Sequence, residues 1–178
     1  TIVTNKSQKI ADADGIVLPG VGAFKTAMNS LGNGTKIIKN AAAEGKPILG
    51  ICLGAQLFAD WSEENGKTKG LGLIPGEIIK LPKKVKKPHM GWNSIKRKQK
   101  HPFLEGIKSG NHAYFVHSYY FKPAKNGVIA TTKYGIEIPA IIGKNNIIGT
   151  QFHPEKSGSI GLKMIKNFVK MTKKHSQK

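Results

Sequence analysis

The segment Pro47-Ile48-Leu49-Gly50-Ile51-Cys52-Leu53-Gly54 is the most informative part of this sequence for its fold. It opens with a short apolar run, which is typical of a buried strand in a parallel sheet. Residues 53–64 have the composition of a helix, so we predict a strand that turns sharply into a helix at Cys52. The glycines on either side complete a G-x-C-x-G pattern, which is the cysteine form of the nucleophile elbow.

The chemistry expected of this turn centres on the thiol of Cys52, the one cysteine of the chain. A strand-to-helix turn projects its central side chain from the carboxyl edge of the sheet, where α/β folds bind ligands. We predict that the helix dipole and the free N–H groups at the helix start lower the pKa of the thiol. Free cysteines are commonly buried packing residues, so the pattern alone also allows a structural role.

A second cluster of reactive side chains follows the apolar run 147–152, as His153-Pro154-Glu155. In an extended segment, positions i and i+2 point to the same side. The proline restricts both itself and His153, so Glu155 is placed to hold one ring nitrogen while the other faces a nucleophile. Together with the cysteine turn, these residues predict a Cys–His–Glu triad.

The remaining pattern predicts one α/β domain over residues 1–178. Helices are expected near residues 23–31, 35–44 and 159–171, with a frayed tail at 173–178. Strands are expected near residues 15–22, 77–81, 113–121, 128–132, 136–142 and 147–152. Strands and helices alternate in the first half and strands dominate the second, which predicts a parallel sheet extended by antiparallel strands.

The formal charge of +19 raises the question of nucleic acid binding. All but one of the 29 basic residues are lysines, and Arg97 is the exception. Arginine is the preferred residue for bidentate phosphate and base contacts, and no aromatic residues interleave with the lysine cluster at positions 83–87. This pattern favours a solvated basic surface. The single cysteine excludes an internal disulfide, and no apolar run suits a membrane span, so we expect a cytoplasmic protein.

Several motifs together resemble the class I (triad) glutamine amidotransferases, along nearly the whole chain. Those motifs are Leu18-Pro19-Gly20-Val21-Gly22-Ala23-Phe24, Gly50-Ile51-Cys52-Leu53-Gly54-Ala55-Gln56, Pro88-His89-Met90-Gly91-Trp92-Asn93, Tyr114-Phe115-Val116-His117-Ser118-Tyr119 and Gln151-Phe152-His153-Pro154-Glu155-Lys156. The first and third motifs are similar to the branch of the family that serves histidine biosynthesis. The resemblance implies a three-layer, flavodoxin-like fold with a mixed, mainly parallel central sheet.

The family resemblance also implies site residues. Cys52, His153 and Glu155 are expected as the catalytic triad of a glutaminase. Gly20, Val21, Gly22 and Leu53 are expected to form the oxyanion hole. Gln56, Glu64, Ser118 and Tyr119 are expected to bind glutamine. No metal site and no cofactor are expected.

The same resemblance implies a partner, a (β/α)8 cyclase that receives ammonia in a heterodimer. Trp92, Tyr114 and Lys156 are expected toward that interface. Members of the family begin with a further strand and helix, so we expect the sequence to be incomplete at its amino end.

Three other functions stay open at this stage. A paralogous glutaminase would feed ammonia to a different synthase. A hydrolase of the same fold would act on γ-glutamyl peptides without a partner. A basic nucleic-acid-binding module would keep its function in a Cys52→Ala variant and bind with strong salt dependence.

Overall fold

The computed structural model describes residues 1–124 and 126–176. Its helices within those residues are α1 (Ser7–Ala11), α2 (Phe24–Leu31), α3 (Gly34–Ala43), α4 (Leu53–Gln56) and α5 (Gly158–Ser176), with 3-10 turns at Pro102–Leu104 and Pro154–Lys156. Its strands are β1 (Ile16–Leu18), β2 (Ile48–Ile51), β3 (Trp61–Ser62), β4 (Thr68–Lys69), β5 (Gly76–Lys80), β6 (His89–Ser94), β7 (Lys96–Arg97), β8 (His112–His117), β9 (Tyr119–Pro123), β10 (Val128–Tyr134), β11 (Ile136–Lys144) and β12 (Ile147–Thr150). None of the helices in the described part of the chain is long and apolar enough to span a bilayer.

A mixed six-stranded sheet with the order β1-β2-β12-β11-β10-β7 forms the centre of the molecule. The predicted α/β class is confirmed, but parallel pairing is limited to β1 with β2 and β2 with β12. The other neighbours pair antiparallel, so the expected mainly parallel sheet is wrong in this detail. The reason is loop length: Gly135 alone separates β10 from β11, and parallel pairing requires a crossover of about a dozen residues.

Helical layers cover both faces of this sheet. Along β2, Leu49 and Ile51 join one apolar cluster and Ile48 joins the other, as the alternation of side chains on a strand requires. The first cluster includes Met164 and Phe168 of α5. The second includes side chains of α2 and α3. The sheet therefore lies between two helical layers, and the carboxyl ends of β2 and β12 meet at one edge.

The helix predicted for residues 53–64 ends at Gln56. The carbonyl groups that follow bond to a later loop and not to further helix amides. The amide of Leu71 donates to Leu57 at 2.8 Å, and those of Leu73 and Ile74 donate to Phe58 at 2.9 and 3.0 Å. Tertiary hydrogen bonds thus replace the helical ones, which propensity cannot anticipate.

The segment predicted as one strand, 113–121, is divided at Ser118. β8 pairs with β6, whereas β9 pairs with β5 in a separate four-stranded sheet. At the carboxyl end, α5 continues through Ser176, whose hydroxyl donates to Asp14 Oδ1 at 2.7 Å. The expected fraying from residue 173 is therefore wrong as far as Ser176, and residues 177–178 lie outside the described part of the chain.

Candidate active site

The turn at Cys52 has the geometry of a nucleophile elbow. Its backbone lies at φ 53° and ψ −108°, between the end of β2 and the first residue of α4. A Cβ added to Gly54 would overlap the Leu18 carbonyl oxygen, and one added to Gly50 would stand 2.6 Å from the backbone of Ala55. The flanking glycines therefore let β1, β2 and α4 approach closely, and this packing supports a backbone conformation that side chains rarely adopt.

The thiol of Cys52 is buried and contacts two polar groups. Its sulfur lies 3.8 Å from the Val116 carbonyl oxygen, to which the S–H group donates. The side-chain amide of Gln151 donates to the sulfur, also at 3.8 Å. That amide is itself held by Gln56, whose Nε2 donates to Gln151 Oε1 at 3.1 Å.

The structure reverses the prediction of a lowered cysteine pKa. Burial raises the pKa of Cys52 to about 11, although the backbone amide of Leu53 acts in the opposite direction. The carboxylate of Glu155 raises this pKa further, and the Gln151 amide lowers it. The helix that follows is four residues long, so its dipole is too small to outweigh the loss of solvation. At neutral pH Cys52 is therefore a thiol, and a base would be needed to ionise it.

His153 has the hydrogen bonding expected of such a base. Its Nδ1 lies 2.8 Å from Glu155 Oε1, and because a carboxylate only accepts, the Nδ1 atom carries the ring proton. The other nitrogen, Nε2, is buried and bonds to no other group within residues 1–124 and 126–176. An imidazole with Nδ1–H fixed and Nε2 free is in the tautomer that can accept a proton from a nucleophile.

A cleft of about 380 Å³ brings most of the predicted site residues together. Its lining is Val21, Gly22, Cys52, Leu53, Gln56, Glu64, Pro88, Val116, His117, Ser118, Tyr119 and His153. Cys52 and His153 share this cleft without bonding to each other, because the thiol turns toward Val116 and the imidazole Nε2 is unpaired. Triad contacts are often long before substrate binds. The set can activate a sulfur nucleophile against an acyl compound that enters the cleft.

Comparison with known proteins assigns the chain to a family. The family model for "Glutamine amidotransferase class-I" matches residues 1–171. The chain belongs to the class I glutamine amidotransferases. It is 48% identical over 170 residues to the "Imidazole glycerol phosphate synthase subunit HisH" of Methanocaldococcus jannaschii, which covers 96% of this chain and 87% of that protein. The protein with the same description from Caldanaerobacter subterraneus is 49% identical over 180 residues, covering 96% and 86%.

Solved structures share the amidotransferase fold at much lower identity. The crystal structure of a putative GMP synthase component from Thermoplasma acidophilum superposes with a TM-score of 0.76 at 23% identity, covering 99% of this chain and 82% of that one. A crystal structure described as a glutamine amidotransferase gives a TM-score of 0.73 at 18% identity, covering 95% and 84%. These structural similarities support the predicted fold, and the sequence relatives above establish the enzyme class.

The expected glutamine-binding residues of this amidotransferase differ in how firmly they are held. Glu64 Oε2 accepts the backbone N–H of Phe24 at 2.7 Å, so it anchors the start of α2 directly after the glycine loop. Gln56 Nε2 donates to the Tyr119 carbonyl at 2.9 Å. Ser118 forms the corner between β8 and β9, and its carbonyl accepts the amide of Leu81 at 2.9 Å.

The expected oxyanion residues surround the start of α4. A Cβ on Gly20 would lie 3.0 Å from the amide nitrogen of Gly54 and 3.1 Å from Leu53 Cβ, so the glycine loop packs against the elbow. Gly22 adopts φ 98°, which only glycine tolerates readily. Val21 and Gly22 line the cleft, whereas Gly20 is not among its lining residues.

The expected interface residues of the amidotransferase cluster beside His153, outside the cleft. The backbone amide of His153 donates to the Tyr114 carbonyl at 2.9 Å, and the amide of Lys156 donates to the His153 carbonyl at 3.0 Å. Tyr114 meets Trp92 edge to face with ring centroids 6.1 Å apart. Trp92 is 57% exposed, so this strip presents an aromatic surface next to His153.

Two groups that contact the predicted triad were not expected from the sequence. Ser157 is buried; its hydroxyl donates to the His153 carbonyl at 2.6 Å and accepts the amide of Tyr114 at 3.0 Å. Gln151 is the other, through its contact with the cysteine sulfur. Gln151 belongs to the fifth motif of the sequence, and its spacing of two residues from His153 in an extended segment is the signal that could indicate a shared side. No three His, Cys, Asp or Glu side chains lie together as metal ligands in the ranges described.

Proposed function

We propose that this amidotransferase is the glutaminase subunit of an imidazole glycerol phosphate synthase. The observation that carries the proposal is the 48–49% identity, over about 96% of the chain, to proteins described as that subunit. It would hydrolyse glutamine to glutamate and pass the ammonia to a (β/α)8 cyclase partner. The cyclase would then make imidazole glycerol phosphate and aminoimidazole carboxamide ribotide in histidine biosynthesis.

The proposed acylation step uses the three triad residues. Cys52 Sγ attacks the side-chain amide carbon of glutamine while its proton moves to His153 Nε2. That nitrogen then gives the proton to the departing amide nitrogen, and ammonia leaves a glutamyl thioester. Glu155 holds Nδ1–H and stabilises the imidazolium during both transfers. The high pKa of the buried thiol supports this order, because proton removal is needed together with attack.

The proposed deacylation step returns the enzyme to its resting state. Water attacks the thioester carbon, His153 Nε2 takes one proton from the water, and glutamate leaves as the thiol regains a proton. The amide of Leu53 and those of the loop Gly20-Val21-Gly22 are the proposed oxyanion donors in both steps. Losing one such donor typically raises the barrier by about 2.7–4 kcal/mol.

The rest of the cleft is assigned to substrate recognition. We propose that Glu64 pairs with the α-ammonium group of glutamine, since one of its oxygens is already fixed by the Phe24 amide and the cleft is lined by the same side chain. Gln56, Ser118 and Tyr119 would hold the remaining polar groups of glutamine.

The partner surface is assigned to the aromatic strip. Trp92, Tyr114 and Lys156 would meet the cyclase, because they surround the segment that carries His153 and are partly or fully exposed. A partner seated there would close the cleft and receive ammonia directly. An activity that depends on a reduced thiol and a biosynthetic partner is proposed to be cytoplasmic.

Glutamate release from glutamine tests this function. The chain is assayed alone, with a histidine-pathway cyclase, and with that cyclase plus its phosphoribulosyl substrate. We expect release to rise strongly with the liganded cyclase and to vanish in Cys52→Ala. His153→Asn should lose activity, whereas His112→Asn, an exposed histidine on β8, is the matched control and should retain it.

Each of the other outcomes of this assay supports a different function or overturns the proposed one. Release that ignores the cyclase keeps the glutaminase chemistry and overturns the pathway assignment. High release without any partner, with γ-glutamyl peptides as good substrates, indicates a hydrolase. Equal release by the wild type and Cys52→Ala overturns the nucleophile itself.

A further inference from the structure

Two buried histidines outside the triad face each other across a strand pair. His89 of β6 and His117 of β8 are partners in the antiparallel register. They are 2% and 6% exposed, and His89 Nδ1 lies 3.0 Å from His117 Nε2. Buried polar rings require hydrogen-bond partners, so each ring proton of this pair must have an acceptor.

The hydrogen bonds around the pair run in one direction. His117 Nδ1 lies 2.9 Å from the Tyr119 carbonyl, which only accepts, so Nδ1 carries the proton and Nε2 accepts from His89 Nδ1. His89 Nε2 is then an acceptor, and the amide of Asn93 donates to it at 3.2 Å. The orientation of Asn93 is fixed because its Oδ1 accepts the amide of Ser94 at 2.8 Å.

Both rings must be neutral for this chain of donors to exist, and their surroundings favour that state. Burial lowers the pKa of His89 to about 4 and that of His117 to about 3. His89 is also clamped in plane, with the Phe115 ring at 4.7 Å and the Tyr134 ring at 4.0 Å in stacked geometry. The direction of these hydrogen bonds is thus set by packing as well as by the donors and acceptors themselves.

The series of hydrogen bonds ends on the Tyr119 carbonyl, and Tyr119 lines the cleft. β8 and β9 belong to different sheets, and the polypeptide turns the corner at Ser118. His117 bridges that corner by bonding to the carbonyl two residues later. The same Tyr119 carbonyl accepts Gln56 Nε2 at 2.9 Å, and Gln56 contacts Gln151, the residue beside the cysteine sulfur.

The geometry points to a new role for His89 and His117: they are positioning residues that fix the corner at Ser118 and thereby set the Tyr119 carbonyl and the Gln56 amide for glutamine. This inference rests on the proposed binding of glutamine in the cleft. The two histidines take no part in proton transfer to substrate. They supply a rigid support that begins on β6, the strand whose opposite side carries the exposed Met90 and Trp92.

Substitutions at His117 separate positioning from general packing. Asparagine places an amide donor near the Nδ1 position, whereas phenylalanine fills the space without a donor. We expect His117→Phe to raise the KM for glutamine by about tenfold, the size of effect that one lost hydrogen bond produces, with a much smaller change in kcat. His117→Asn should bring KM to within about threefold of wild type. His112→Phe, on the exposed side of the same strand, should leave KM unchanged.

The result that overturns the inference is a folded His117→Phe protein with wild-type KM, or a KM that rises equally in the asparagine variant. Failure of the proposed function is distinct, because the wild-type chain would then release no glutamate in a Cys52-dependent manner. The unmutated protein gives a second test through imidazole nitrogen NMR at neutral pH. Both rings should be neutral Nδ1–H tautomers, and an Nε2–H tautomer or a cation at His117 overturns the proposed chain of donors.

Discussion

At the scale of single residues, Cys52 combines two unfavourable properties. A non-glycine residue at φ 53° stores about 1–3 kcal/mol of backbone strain, and burial disfavours the ionised thiol. Neighbouring hydrogen bonds hold the strain in place, since the Cys52 amide donates to the Thr150 carbonyl at 2.7 Å and its carbonyl accepts the Gln56 amide at 3.1 Å. The strained backbone at Cys52 lowers stability and places this residue in the lining of the cleft.

A pair of substitutions measures that strain. Cys52→Gly and Cys52→Ala both remove the thiol, but only glycine relaxes at φ 53°. We expect the glycine variant to have a free energy of unfolding about 1 kcal/mol higher than the alanine variant, even after the extra chain entropy of glycine is counted. Denaturant unfolding of both proteins checks this. A glycine variant less stable than the alanine variant would contradict the presence of strain.

The sequence singled out three side chains whose spatial grouping the structure shows, while their catalytic roles stay a prediction. Cys52, His153 and Glu155 stand out because few arrangements of these side chains lack a catalytic use. The supporting groups were not predictable, since the hydroxyl of Ser157 and the amide of Gln151 gain their meaning from contacts with carbonyls and with sulfur that are distant in sequence. The predicted direction of the Cys52 pKa shift was wrong, because burial depends on tertiary packing.

At the scale of elements, the elbow depends on how closely β1 approaches α4. Gly54 lies where the Leu18 carbonyl leaves no room for a Cβ, so the helix start is pressed against the strand end. We expect Gly54→Ala to lower the free energy of unfolding by about 1–3 kcal/mol and to reduce glutaminase activity, because the backbone must shift beside Cys52. Thermal or denaturant unfolding and glutamate release measure the two effects.

Gly34→Ala is the matched control for that substitution. Gly34 begins α3, and no atom lies within 4 Å of its added Cβ. Alanine should therefore be neutral or stabilising at this position. If both alanine variants are equally stable and active, close packing between β1 and α4 is not a requirement of the site.

Elements with strong local patterns were predicted well, and those defined by tertiary bonds were not. The strand at Ile48–Ile51 and the helix at Phe24–Leu31 fall close to their predicted positions. The strand His89–Ser94 lies where no strand was predicted, because its alternation of polar and exposed apolar residues is unlike an ordinary half-buried strand. The polar side of this strand is satisfied by the pairing of His89 with His117 and Asn93.

At the scale of the whole molecule, the sequence carries a formal net charge of +19, and most lysines in the described residues are exposed or half-buried. Ion pairs join Lys98 with Glu137 and Lys122 with Glu77, at 2.7 and 2.8 Å. Exposed pairs of this kind contribute little to stability. The buried residues His89 and His117 have a larger effect on stability at acidic pH. Both rings must be neutral where β6 packs against β8.

That requirement predicts how stability changes with pH. His89 and His117 have native pKa values lowered to about 4 and about 3 from 6.5, and burial also lowers the pKa of His101. The unfolded chain therefore binds protons that the native protein does not. The resulting stability is fully present above pH 6.5 and is lost as the pH falls toward 4. His89 and His117 each contribute a slope of about 1.4 kcal/mol per pH unit within that window.

Denaturant unfolding at a series of pH values, for the wild type and for His117→Asn, isolates one of these protons. We expect the free energy of unfolding of the wild type to fall steeply between pH 6.5 and 4.5, and the slope of the variant to be smaller by about 1.4 kcal/mol per pH unit. An identical slope in the two proteins would mean that His117 already carries its proton in the native state. The neutral series of hydrogen-bond donors that ends on the Tyr119 carbonyl could not then exist. This measurement therefore links the acid stability of the fold to the support of the proposed glutamine site.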